Sequence, residues 1–303
     1  MEAGAGPGAA ALRCSFAAEA RGDPLVATAP HAEGFLLIEE EGAWGRDALR
    51  DCRLDPEVTA ALRDWASRSS LRMLLIRPPE RSRSPRGRRW AVVDSRPGSE
   101  SIRWGALDTE RDLLDIPHGR APTERLDEPW YLVCTHGRHD VCCALKGRPT
   151  AAALAALRPG AVWHCSHVGG DRFAANVLVL PHGLYYGRVL PQDGPSLIAA
   201  QERGEVMIEL LRGRTMLTVQ RQAAQHFARV HLGSAAIDDL DPVGETAHGD
   251  GRSSVELAVR GAGTVTVTVH REPGPTAGLL TCHATQFLHP PVWVLDSFAA
   301  PSP

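Results

Sequence analysis

The chain has 303 residues, 43% of them hydrophobic, enough for one large domain or two ordinary ones with real cores. A net charge of −3 and a pI near 6.5 exclude a global basic field for nucleic acid or an anionic membrane. No run of about 18 apolar residues occurs, and the start "MEAGAGPGAA" carries no basic and apolar leader, so a cytoplasmic protein without a membrane span is expected.

Residues 1–12 read as a disordered tail of small residues. Residues 13–125 read as an N-terminal α/β region. "GFLLIEEEGAWG" (34–45) is a strand ending in a turn, and "PEVTAALRDWASRS" (56–69) is a helix with Val58, Leu62 and Trp65 on one stripe. "LRMLLIRP" (71–78), "RWAVVDS" (89–95) and "SIRWGAL" (101–107) are short strands. The arginine-rich "RPPERSRSPRGRR" (77–89) holds proline and glycine that forbid regular structure, and reads as a solvated loop.

Residues 126–215 have a more regular pattern. "WYLVC" (130–134) is a strand running into a cysteine-rich loop, and "TAAALAALRP" (150–159) is a helix stopped by Pro159. "AVWHCSH" (161–167) is a strand, "NVLVLPHGLYYGRV" (176–189) a hairpin, and "SLIAAQERGEVMIELLRG" (196–213) a long helix that tolerates Gly204. The order β-α-β-β-β-α is a thioredoxin-like order, with the cysteine loop after the first strand. Residues 216–303 form an appendage: a helix over 218–233 closed by a glycine, a hairpin over 253–272 and a last strand over 290–298. The fold class expected is α/β (α+β).

Seven cysteines are present: Cys14, Cys52, Cys134, Cys142, Cys143, Cys165 and Cys282. Their odd number and uneven spacing argue for a metal or redox site rather than a disulfide framework. Three fall in "CTHGRHDVCCALKGRP" (134–149). A second constellation, "WHCSHVGGDRFAAN" (163–176), holds His164, Cys165, His167 and Asp171. Alternation along a strand lets Cys165 and His167 share a face, with His164 on the other. Gly169 and Gly170 let the backbone turn and bring Asp171 back towards His167. Both constellations follow strands at the same end of the expected sheet, so they should meet. Imidazole and thiolate together suit zinc or an iron–sulfur centre, whereas magnesium and calcium prefer oxygen.

Cys134-x8-Cys143 followed by "SHVGGDRFAAN" resembles the sucrase/ferredoxin-like family, whose pattern is Cys-x8-Cys and then His-x3-His in an "SHxGGH" stretch. The likeness is strongest over residues 130–190 and fainter over "LLIEEEGAWG". It implies a thioredoxin-like ferredoxin domain over 126–215 with a [2Fe-2S] cluster, and nothing about sugar chemistry. Carried over by position, it makes Cys134, Cys143 and His167 ligands, and puts Asp171 where the second histidine is expected. Cys165 is the alternative fourth ligand. A carboxylate in place of a neutral imidazole makes the site one unit more negative. The potential is then expected between roughly −400 mV, for all-thiolate plant-type clusters, and the roughly −150 to +300 mV of two-histidine sites. A pH-dependent potential is expected if His167 takes up a proton on reduction.

The resemblance therefore implies a one-electron carrier or redox sensor, more an electron-transfer protein than an enzyme, with a redox partner protein. Two other readings stay open: a zinc site made of Cys134, Cys143, His164 and His167, and a thiol oxidoreductase using Cys134 or Cys143, although no Cys-x-x-Cys pair is present. His136 and His139 read as supporting or surface residues and Cys142 as a spectator. Cys14, Cys52 and Cys282 read as small apolar residues, and "CHATQFLHPP" (282–291) as structural.

Overall fold

A computed structural model of the protein describes residues 13–79 and 88–300. The tail expected at 1–12 and most of the arginine-rich loop lie outside the described residues. Helix α1 (Cys14–Ala20) comes first, followed by strand β1 (Gly34–Glu39), α2 (Ala48–Asp51), α3 (Pro56–Arg68), β2 (Leu71–Arg77), β3 (Arg88–Asp94) and β4 (Ser101–Leu107). A 3-10 helix (Glu110–His118) leads to β5 (Glu124–Leu126) and β6 (Trp130–Cys134). The next elements are α4 (Val141–Leu157), β7 (Val162–Cys165), β8 (Val177–Leu180), β9 (Leu184–Tyr186), α5 (Gly194–Glu202) and β10 (Leu211–Arg214). Helix α6 (Val219–Leu232) and strands β11 (Leu240–Ala247), β12 (Ser253–Val259), β13 (Gly263–Pro273) and β14 (Pro291–Ala299) complete the chain.

Ten strands make one sheet in the order β10-β9-β8-β6-β7-β2-β1-β3-β4-β5. Within it, β6 and β7 are parallel, β8 is antiparallel to β6, and β9 is antiparallel to β8. Numbered by their own sequence, β6 to β9 run 4-3-1-2 across the sheet, with α4 joining the parallel pair: a thioredoxin-like unit. The strands of residues 13–125 continue this sheet, because β2 pairs with β7 through Ile76–Cys165 and Arg77–His164.

All six residues of β1 are buried, as a strand covered on both faces requires. Phe35 and Leu37 join the core that includes Ala151 and Leu154 of α4 and Leu197 of α5. Leu36 and Ile38 join a second core with Val58, Leu62 and Ala66 of α3. Asp55 caps α3 by accepting from the Glu57 amide, with Pro56 in the first helical turn. A third core packs Ala223, Ala224 and Ala228 of α6 on Val255, Leu257, Val265 and Val267 of a four-stranded antiparallel sheet, β11-β12-β13-β14. The expected hairpin is its centre.

Two expectations fail. The helix expected at 150 starts at Val141, because Asp140 caps it by accepting from the Cys142 amide at 2.9 Å. Gly147 reads as a breaker but is needed for contact: a Cβ there would collide with the Cys134 carbonyl oxygen. Pro149, inside the helix, forgoes the bond to the Leu145 carbonyl and crowds it. The long helix expected over 196–213 ends at Glu202. Gly204 takes a left-handed φ of +68°, and Leu211–Arg214 pair with β9 as a strand. An apolar run such as "VMIELL" suits either structure, and the neighbouring strand edge decides between them.

Candidate metal centre

The four residues expected to be ligands are brought together by the ends of β6 and β7. Cys134 is the last residue of β6, Cys143 lies in the first turn of α4, and His167 follows β7. Asp171 opens a short 3-10 turn, Asp171–Phe173. The donor atoms of Cys134, Cys143 and His167 all lie within 4.8 Å of one another. Cys143 Sγ is 3.2 Å from Asp171 Oδ1, and His167 Nδ1 is 3.0 Å from the same oxygen. Cys134 and Cys143 are buried and Asp171 is 3% exposed, whereas His167 is 22% exposed. The sulfur side of the centre is thus interior and the imidazole side faces outward.

Cys165 stands beside Cys134 in the parallel register and is wholly buried, but it joins no group of metal-capable donors among the described residues. Its burial, and the charge of Cys134, push its thiol up. His164 is also outside the centre. It sits across from Arg77, and its burial pulls its pKa down to about 4.

The charges at the centre reinforce one another. The hydrogen bond from Cys143 holds the Cys134 thiol well below the usual range, against the effect of burial. The same bond, together with burial, pushes Cys143 up. Burial opposes a charge on His167, but Asp171 and the Cys134 sulfur outweigh it and push the imidazole up to about 9. Burial likewise opposes the charge on Asp171, and His167 and Cys143 still hold it below the usual carboxylate range. The His167–Asp171 contact is a close approach of charges without hydrogen-bond alignment, which leaves buried Nδ1 without a directed partner. Two thiols, an imidazole nitrogen lacking an aligned partner and a carboxylate are a donor set for zinc or iron.

His136 and His139, expected as supporting or surface residues, lie beside the centre, and Arg72 and Arg212, which gave no signal in the sequence, support it too. His136 Nε2 is 2.9 Å from the Gly45 carbonyl oxygen, and His136 Nδ1 accepts from the His167 amide at 3.3 Å, which fixes the His136 tautomer. Its burial lowers its pKa, consistent with a neutral ring. His139 stacks on His167 with centroids 3.7 Å apart and reaches Asp171 at 3.8 Å. Arg72 donates to the His167 carbonyl at 3.1 Å. Arg212, 2% exposed, donates to the Gly169 carbonyl at 2.9 Å, to Asn176 Oδ1 at 2.8 Å and to Thr28 Oγ1 at 3.0 Å. Burial lowers its pKa to about 10. It sits directly under Gly170, where a Cβ would collide with the guanidinium. Arg212 therefore shapes the turn between His167 and Asp171.

The outer edge of the centre opens into a cleft of about 1290 Å³, lined by His136, His139, His167, Arg46, Arg50 and Arg72 among others. No helix among the described residues is long and apolar enough to cross a membrane.

The sequence matches the sucrase/ferredoxin-like family over residues 25–213, which span β1 to β10 and the whole candidate centre. The chain belongs to the sucrase/ferredoxin-like family. No curated protein matches it. Similar solved structures include two cysteine-to-serine variants of the thioredoxin-like [2Fe-2S] ferredoxin from Aquifex aeolicus. They are 18% and 19% identical, with TM-scores of 0.25 and 0.24, and each match covers 28% of this chain and 97% of that one. A further structure described as a thioredoxin-like [2Fe-2S] ferredoxin from Aquifex aeolicus is 19% identical, with a TM-score of 0.25, over 28% of this chain and 91% of that one. Cys14 and Cys282 lie outside the span matched by the family.

Proposed function

We propose that the chain is a [2Fe-2S] protein that carries or senses single electrons, with Cys134, Cys143, His167 and Asp171 as its ligands. The observation that carries this reading is the convergence of Cys134, Cys143 and His167 donor atoms within 4.8 Å. They meet at the ends of parallel strands, in a chain of the sucrase/ferredoxin-like family. When bound, the cluster would supply a one-electron couple. The chain's own residues would hold and tune it. Buried Cys134 and Cys143 exclude water from the sulfur side, and Asp171 adds a negative charge where the family pattern has a neutral imidazole. His136 and Arg72 hold the backbone of His167, and Arg212 holds the turn beyond it. A redox partner protein would dock at the cleft at the imidazole edge, where the half-buried His139 and His167 are the accessible groups of the centre.

The test is purification without air, with iron and acid-labile sulfide analysis and a visible spectrum. About two irons and two sulfides per chain and a red-brown colour are expected. A colourless protein with neither overturns the reading. One observation favours a second reading: Cys134, Cys143 and His167 lie within 4.8 Å of one another and Asp171 approaches Cys143 and His167, a set that also suits a single zinc ion, with Asp171 in place of the His164 considered earlier. Zinc would leave the protein colourless.

A further inference from the structure

A second group of sulfurs lies on the other side of the first turn of α4. Cys142 and Cys143 are neighbours, and one residue along a helix is a rotation of about 100°. Their side chains therefore leave the helix in different directions. Cys142 meets Cys14, the first residue of α1, and Cys282, from the segment between β13 and β14. The sulfurs are 3.8 Å apart for Cys14–Cys142, 3.4 Å for Cys142–Cys282 and 3.5 Å for Cys282–Cys14. Asp140 Oδ2 lies 3.6 Å from Cys14 Sγ, and all four donor atoms are within 4.8 Å of one another. Cys14, Asp140 and Cys142 are wholly buried.

We propose that Cys14, Asp140, Cys142 and Cys282 form a structural zinc site that fastens α1 and the C-terminal appendage to the first turn of α4.

Three observations carry this. The first is shape. A tetrahedral zinc ion with bonds of about 2.3 Å to sulfur and 2.0–2.2 Å to oxygen sets S···S edges of about 3.8 Å and S···O edges of about 3.5 Å. The three sulfur edges and the sulfur–oxygen edge described above approach those values. The second is chemistry. Three thiols and one carboxylate form a four-donor set of the kind zinc takes, and sulfur disfavours magnesium and calcium. The third is charge. Asp140 is wholly buried and makes no ion pair among the described residues. Its Oδ1 accepts from the Cys142 amide at 2.9 Å and its Oδ2 from the Cys282 amide at 2.7 Å. The other lone pair of Oδ2 accepts from the Cys14 thiol, and a cation would take it when that thiol loses its proton. Zinc with three thiolates and this carboxylate carries a net −2, the same as a four-thiolate zinc site, once the three thiol protons are released.

The role follows from connectivity. Cys14 and Cys142 are 128 residues apart, Cys142 and Cys282 are 140, and Cys14 and Cys282 are 268. A single ion thus ties two distant segments, both outside the family span, to the turn that carries Cys143. Binding zinc releases the thiol protons and adds its free energy to folding.

The full-length protein, purified without air, tests this by metal analysis and zinc-edge X-ray absorption. About one zinc per chain is expected, with about three sulfurs near 2.3 Å and one oxygen near 2.0 Å. Cys14→Ser and Cys282→Ser should each lower zinc retention against a chelator by at least about tenfold, whereas Cys134→Ser should leave it unchanged. If either variant fails to fold, the zinc-edge spectrum of the unchanged protein still decides. Three results overturn the proposal: a protein that neither contains zinc nor takes it up after thiol reduction; a zinc edge with two sulfurs and an imidazole, which places the ion at Cys134, Cys143 and His167; or unreduced peptide maps showing a disulfide among the three cysteines. The first centre's iron and colour play no part in these readings, so the two assignments fail separately.

Discussion

The two sulfur centres share one helix turn and differ in where their other donors come from. The first takes Cys134, His167 and Asp171 from the ends of β6 and β7, within one thioredoxin-like unit. The second takes Cys14 and Cys282 from opposite parts of the chain. The first opens through its imidazole edge into a cleft, while the second is closed around a buried carboxylate. Adjacent cysteines can thus serve unrelated purposes, because helix geometry sends their side chains apart. The centre built from local pieces fits a reactive role, and the one built from distant pieces fits a structural role.

The sharpest way to break this comparison is to substitute the neighbours one at a time. Cys143→Ser should abolish the visible absorption and iron while keeping zinc, and Cys142→Ser should do the reverse. Metal analysis of the two variants reads both outcomes, each a loss of at least about tenfold. Identical losses in both variants would merge the two centres into one.

The Arg212 guanidinium tests whether the first centre depends on its turn. Arg212→Leu leaves the Gly169 carbonyl and Asn176 Oδ1 without their donor, and should cost about 2–4 kcal/mol in a denaturant melt. Iron retention should fall with it and zinc retention should not, because the Arg212 hydrogen bonds among the described residues go to Thr28, Gly169 and Asn176 and not to the Cys14 group.

Asp171→His restores the histidine of the family pattern and removes one negative charge. The midpoint potential of the first centre should rise by on the order of 100 mV in protein-film voltammetry. No change would remove Asp171 from the ligand set.

The smallest effect concerns acid stability away from both centres. Burial holds His164 near a pKa of about 4, so it is neutral in the folded chain where the unfolded chain is protonated. Its folded pKa lies below the ordinary 6.5, so the neutral form favours folding above that value, and this contribution is lost as pH falls from 6.5 towards 4. Allowing for partial exposure, the loss is about 1–2 kcal/mol. His164→Phe should flatten that limb in urea melts across the range, without altering either metal content.

The first centre was legible because its donors lie in two short stretches that resemble a family pattern and follow recognisable strands. Val133–Cys134 and His164–Cys165 can be recognised as strand ends without knowing what packs on them. The beginning of α4 was not legible, because Gly147 and Pro149 read as breakers. Only the Asp140 cap and the close passage over the Cys134 carbonyl explain why the helix continues through them. The end of α5 was missed for the opposite reason, since the apolar run after Gly204 fits a helix until β9 offers it an edge.

By itself the sequence determined the α/β character, the thioredoxin-like order of residues 126–215 and the four candidate donors of the first centre. The first two follow from residue type and short-range periodicity, which act within a few turns or one strand pair, and the donor set follows from the resemblance of the Cys-x8-Cys and "SHVGGD" stretches to the family pattern. Only the tertiary structure decided that Cys14, Cys142 and Cys282 touch, that Arg212 underlies the glycine turn, and that Cys165, although beside Cys134, joins no donor group among the described residues. Contacts across 128 to 268 residues leave no spacing rule in the chain. They exist because the large sheet and the appendage, each packed on its own core, leave those side chains facing the same buried turn.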